Sequence, residues 1–117
     1  MTVTAFANGT QTATIGTEHQ LADVNVAGVY TFHVDLNAMQ ATDFLELRVY
    51  QMVLTSGTAR VAYLYQFQGV QPADSQIAIS VPISNELTDS TSLRFSLKQT
   101  APTGGGRNYP WKVLKHA

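Results

Sequence analysis

The residues with the widest chemical repertoire in this chain are three histidines, His19, His33 and His116. None stands in an H-x-H or H-E-x-x-H spacing, the arrangements that turn two imidazoles toward one metal ion. His33 and Asp35 are two apart, so on a strand they share a face. That offers a metal two ligands where a closed zinc site wants a full tetrahedral set, and the two are read as a solvent-facing surface pair. Glu18 and His19 are neighbours, point to opposite faces of a strand, and make no acid–base pair on their own. No G-x-S-x-G occurs, and the serines lie in turns or alternate outward on strands, so none has the setting of a nucleophile. Asp35 and Asp43 flank residues 37–43, where an aspartate beside a turn holds backbone N–H groups more readily than it does acid–base work. Thr103-Gly104-Gly105-Gly106-Arg107 resembles a phosphate loop only superficially. A P-loop needs G-x-x-x-x-G-K-[ST] between a strand and a helix, whereas this run lacks the Lys-Ser/Thr pair and is expected to be a hairpin loop. With no cysteine in the chain, disulfides, thiolate metal sites and cysteine nucleophiles are excluded. The expectation is a protein that is not an enzyme, with no catalytic residue, no cofactor and no metal site.

Contact chemistry is what remains. Charged residues make up 13 % of the 117, where about 25 % is usual. Fourteen Thr, thirteen Ala and nine Gln fill the gap, so the surface is polar but weakly charged. The net charge of −1 disfavours a general nucleic-acid binder, which must neutralise many phosphates. The charges are also sorted along the chain. Residues 1–93 hold all eight acidic residues against two arginines, a balance of −6. Residues 94–117 hold Arg94, Lys98, Arg107, Lys112 and Lys115 with no acid, a balance of +5. Such asymmetry steers one molecule onto another. These five are the candidate interface residues, together with Phe6 near the N-terminus.

Strands must position them. Tyr30, Phe32, Val34 and Leu36 alternate with more polar neighbours, as do Leu45, Leu47 and Val49, and then Leu93, Phe95 and Leu97. A period of two marks strands with one buried face. Strands are predicted near 2–7, 11–19, 28–36, 44–54, 59–69, 77–83, 91–99 and 107–115. Turn residues separate them, beginning with Asn8-Gly9. Short helical turns are predicted over 37–43 and 71–76. The chain is read as one all-β domain over 1–117, an antiparallel β-sandwich or jelly roll of about eight strands. Residues 1–10 are either an edge strand or an arm for strand addition to a neighbour. Tyr63, Tyr65 and Phe67, with Val61, are read as a core-facing row, and the opposite face bearing Gln66 and Gln68 as solvent or partner surface. Tyr109, Trp111 and Val113 are read as core. No apolar run reaches the roughly 18–20 residues that span a membrane. The first residues lack the basic start and apolar centre of a signal peptide, so synthesis in the cytoplasm is expected.

Several segments together carry a resemblance. They are Gly16-Thr17-Glu18-His19, Ala27-Gly28-Val29-Tyr30 leading to Val34-Asp35-Leu36, and Asp43-Phe44-Leu45-Glu46-Leu47-Arg48-Val49-Tyr50. Leu97-Lys98-Gln99-Thr100 and Gly106-Arg107 with Pro110-Trp111-Lys112-Val113-Leu114 complete the set. Over about residues 14–115 the chain resembles small structural proteins of tailed bacteriophages, and in size and predicted fold it is similar to head decoration (cement) proteins. The resemblance implies a virion protein on the outer capsid surface, made in the host cytoplasm. It also implies binding to the major capsid protein lattice, self-association as a dimer or trimer, and no nucleic-acid or membrane partner. It carries no binding residue over. Two other readings are a neck or tail β-domain and a carbohydrate-binding sandwich using Tyr50, Tyr109 and Trp111.

Overall fold

The alternation becomes two packed antiparallel sheets in the computed structural model, which describes residues 2–101 and 105–116. The strands are β1 (Val3–Thr12), β2 (Glu18–Val24), β3 (Gly28–Asp35), β4 (Phe44–Gln51), β5 (Arg60–Gln68), β6 (Ile77–Ile79), β7 (Ile83–Asn85), β8 (Leu93–Ala101) and β9 (Asn108–His116). Sheet I runs β1-β9-β3-β6, with β7 also on β3, and sheet II runs β2-β8-β4-β5. β6 and β7 lie end to end along β3, against His33–Asp35 and Gly28–Tyr30 respectively. Between them Ser80 bonds Phe32 both ways, its N–H to the carbonyl and its Oγ from the N–H, each at 2.9 Å. Pro82 then has no N–H with which to continue the ladder. β6 and β7 therefore share one position. The eight positions, β1-β9-β3-β6/β7 over β2-β8-β4-β5, follow the jelly-roll order, and the fold is the expected all-β sandwich.

The core is built from the alternations seen in the sequence. Tyr30, Phe32 and Val34 of β3 face Leu45, Leu47 and Val49 of β4 and Leu93, Phe95 and Leu97 of β8, all buried. Phe32 and Phe95 meet across the two sheets with ring centroids 5.2 Å apart. Tyr109 and Val113 are fully buried, and Trp111 packs partly exposed against the same cluster.

Five expectations need correction. Asn8-Gly9 is no turn: β1 runs through it, paired with β9 from Val3 to Thr12. The described part of the predicted arm is thus an edge strand from Val3 onward rather than a free arm, and Phe6 sits in a bulge with its ring edge-on to Tyr30 at 5.5 Å. The chain turns instead at Thr14–Thr17, where Gly16 has φ +82°, the value a type II turn requires at its third residue. This moves the second strand from 11–19 to Glu18–Val24. Residues 37–43 hold two hydrogen-bonded turns, Met39 N–H to Leu36 and Asp43 N–H to Gln40, and 71–76 holds one, Ser75 N–H to Pro72. No helical turn forms at either place. β8 and β9 are not a hairpin, since they belong to different sheets; of the glycine run between them, Thr103 and Gly104 lie outside the described residues. Gly106 packs its backbone on the Ala13 carbonyl, leaving no room for a Cβ. Finally, the β4–β5 register slips at Ala62: Val49 pairs with Tyr63 but Tyr50 pairs with Val61. Opposite residues share a face, so the bulge turns Val61 to the outer side, away from Tyr63, Tyr65 and Phe67.

Candidate functional site

The sorted charges of the sequence do not stay sorted in space. Antiparallel pairing of β2 and β4 with β8 places Asp23 opposite Arg94, and both Glu18 and Glu46 opposite Lys98. Arg94 Nε bonds Asp23 at 2.9 Å, and Arg107 Nε bonds the fully buried Asp43 at 3.0 Å. Lys112 and Lys115 lie on β9 in sheet I, away from the other three. Lys112 is exposed beside His33, and Lys115 is half-buried with its stem over Gly28. The structure therefore does not gather Arg94, Lys98, Arg107, Lys112, Lys115 and Phe6 into one patch.

The outer face of sheet II is a polar network centred on Glu18. Its carboxylate accepts from Arg48 Nη1 at 3.0 Å, the Tyr50 hydroxyl at 2.7 Å and Ser96 Oγ at 2.6 Å. Burial pushes the Glu18 pKa up, but the hydrogen bonds from Ser96 and Tyr50 and the charge of Arg48 outweigh it and hold the carboxyl below its ordinary value. A carboxylate so satisfied is a weak base, and the Ser96 hydroxyl is committed to it as a donor. Arg48 also bonds Glu46, which accepts from Gln66 Nε2 at 2.9 Å. This network stabilises the sheet, and the Glu18, Glu46 and Arg48 side chains are already partnered.

The outer face of sheet I is different. An open groove of about 580 Å³ crosses it, bounded by Asn8 and Thr10 of β1, Pro110 and Lys112 of β9, and His33 and Asp35 of β3. The Thr31 hydroxyl lies 2.9 Å from Nε2 of both His33 and His116. Burial, then Lys112, then His116 lower the His33 pKa, which favours the neutral form of that imidazole. Among the described residues no three His, Asp or Glu side chains converge as a metal site would require. His19 lies elsewhere, accepting the Thr14 N–H at 2.9 Å.

The third feature is apolar. All but Val3 and Val26 of the exposed large hydrophobic residues fall between Val53 and Val81. They lie on β5 and β6, the strands that end sheet II and sheet I, and on the segments that flank those strands in sequence. Tyr63, Tyr65 and Phe67 do point inward from β5, with ring centroids 4.8 and 5.4 Å apart in succession. Yet they overhang the core: Tyr65 is 40 % exposed. Burial and the neighbouring Tyr65 hydroxyl push the Tyr63 pKa up to about 12, against the Val81 backbone that bonds it. On the outer sides Leu64, Ile77 and Ile79 are each about half exposed. The loop bearing Val53 and Leu54 is held from the far side, Thr55 Oγ1 and Ser56 N–H both bonding Asp89 at 2.8 Å. The sequence reading missed this margin because period two marks a face and not an edge. The signal that was available is Ile77 and Ile79 alternating outward around the buried Ala78.

Comparison with known proteins finds no matching family model, no matching curated protein and no matching solved structure.

Proposed function

We propose that the protein is a non-enzymatic structural protein of a tailed-bacteriophage virion, a head decoration (cement) protein. In this reading it self-associates, binds the major capsid protein lattice from outside and stabilises the head. The observation that carries it is the concentration of exposed apolar side chains between Val53 and Val81, since clustered exposed apolar residues mark protein contact. The sequence resemblance and the jelly-roll order, an architecture shared by viral capsid and lectin domains, support it at the level of fold, which does not by itself specify function. Decoration needs no bond making. It needs a rigid scaffold with adhesive borders, and a weakly charged chain desolvates few ions when those borders are covered.

The test is to mix purified protein with expanded capsids that lack it. Saturable co-sedimentation and a higher rupture temperature are expected. Absence of binding from low to high salt overturns the reading. Binding of a few copies at one vertex, seen by cryo-EM, moves it to a neck or tail role. Carbohydrate binding loses two of its three aromatic candidates, since Tyr109 is fully buried and Tyr50 is tied to Glu18. Only Trp111, beside the outer groove of sheet I, remains for it.

A further inference from the structure

The four sheet edges of this sandwich are not alike. β1 carries a bulge at Phe6. β2 carries one at Leu21 and bears Glu18 and Asp23 near its ends. The position shared by β6 and β7 is broken into two three-residue pieces. Bulges, charges and shortness are the devices by which natural edges avoid pairing with other chains. The β5 edge has its bulge at Ala62, which leaves Tyr63–Gln68 in unbroken register with β4. That stretch is uncharged, and no strand lies on its other side among the described residues.

We propose that β5 pairs antiparallel with β5 of a second copy, about a twofold axis at Tyr65, joining two copies of sheet II into one eight-stranded sheet. This rests on the self-associating part of the proposed function and names its surface. A second copy is the occupant the pattern fits, because a twofold interface must be complementary to itself. The order Tyr63-Leu64-Tyr65-Gln66-Phe67 is aromatic at both ends and the middle, so it reads alike from either direction. Antiparallel pairing centred on Tyr65 sets Tyr65 opposite its own counterpart, Tyr63 opposite Phe67 and Leu64 opposite Gln66. Opposite residues share a face, and aromatic cross-strand pairs are among the favourable ones. The half-exposed rows of the two copies thus merge into a single inner row. No charge meets a like charge, since Arg60, the one charged residue of β5, lies beyond the bulge.

Sedimentation and cysteine cross-linking test this. The wild type is expected to be a dimer at micromolar concentration. Tyr65→Lys sets two ammonium groups opposite each other and is expected to be a monomer with an unchanged far-UV spectrum. Tyr65→Glu should also be monomeric, and an equimolar mixture of the two should recover the dimer. Because the chain has no cysteine, Tyr65→Cys supplies one thiol per copy. Mild oxidation should link it into a covalent dimer, while Ile79→Cys at the same concentration stays unlinked. A monomeric or trimeric wild type, a Tyr65→Lys dimer as tight as the wild type, or equal cross-linking at both cysteines overturns the proposal. None of these measurements uses capsids, so dimers that ignore capsids refute the decoration reading alone, and a monomeric wild type that binds capsids refutes the β5 pairing and self-association while leaving capsid binding standing.

Discussion

At the crossover from sheet II to sheet I, polar groups are packed so that each has a partner, whereas along β5 apolar groups are only partly covered. The Gln99 side chain, fully buried, donates to the carbonyls of Ala101 and Gly105 at 3.0 Å each. It accepts from the Arg107 N–H at 3.2 Å and the Tyr109 hydroxyl at 3.0 Å. Its own backbone carbonyl takes the Gly16 N–H at 2.8 Å. One residue, through its side-chain amide and its backbone carbonyl, therefore ties the end of β8, the entry to β9 and the turn before β2 together. Burial drives the Tyr109 pKa upward, so that hydroxyl stays a neutral donor. The β5 margin has no comparable device. The contrast teaches where each kind of group acts: buried polar groups specify which strands cross and where, because a mismatch inside is costly. Uncovered apolar surface is tolerated in the free molecule, and its burial free energy is released only on association.

The largest effect expected from this contrast belongs to the corner. Gln99→Leu keeps the volume but removes the acceptor for two donors and the donor for two carbonyls. Stranded buried groups cost about 1–3 kcal/mol each, and with partial relaxation we expect a loss of about 3 kcal/mol. That corresponds to a fall in Tm of roughly 10–15 °C for a domain of this size. Thermal unfolding followed by circular dichroism measures it. A shift under about 1 kcal/mol would show that the corner is not the rigid region, and the contrast would collapse.

The outer face of sheet II should give an intermediate effect, visible as pH dependence. The Glu18 carboxyl is held below its ordinary value in the folded state, while the unfolded chain titrates near about 4.3. In the window between the two values the unfolded state binds more protons, so stability falls as pH falls. The contribution is therefore complete above about pH 5 and lost as pH drops through the folded value. Denaturant melts of wild type and Glu18→Gln should differ on the order of 1 kcal/mol at pH 7, given how open the network is. They should converge toward pH 3. Parallel curves from pH 7 to pH 3 would remove Glu18 from the account. The segment Tyr63–Gln68 holds no carboxylate, so its variants should leave the slope unchanged.

Much of the fold was legible because burial enforces period two wherever a strand has one dry face, and β3, β4 and β8 show it cleanly. The failures have physical causes. Asn8-Gly9 carries strong turn chemistry, yet β9 runs beside the whole of β1, and the Trp111 ring lies against Gly9, where a Cβ would sit 3.5 Å from it. Tertiary pairing overrode the local preference. Alternation puts Val61 on the inner face because it counts residues and cannot see a bulge at Ala62. The −6 and +5 halves were legible as sums along the chain but not as fields in space, since antiparallel pairing laid Asp23 on Arg94 and the crossover laid Asp43 on Arg107. The apolar margin was the least legible feature. Leu64, Ile77 and Ile79 look like ordinary strand residues until the strand order shows that β5 and β6 are edges.

The smallest expected effect is the sharpest probe of that last point. Leu64 is 46 % exposed on the outer side of β5, and Thr, being β-branched, is favoured in a strand. If the edge is free in the isolated molecule, Leu64→Thr should change monomer stability by less than about 0.5 kcal/mol, as surface substitutions do. The comparison belongs in a Tyr65→Lys background, because in a dimerising protein apparent stability also follows concentration by mass action. In the otherwise wild-type chain the same substitution should loosen the dimer, since Leu64 then loses contact with the second copy. The two readings together separate a residue that holds the fold from one that meets a partner. A loss above about 2 kcal/mol in the monomer, of the size that marks core truncation, would place Leu64 in the core and would mean that β5 is already covered.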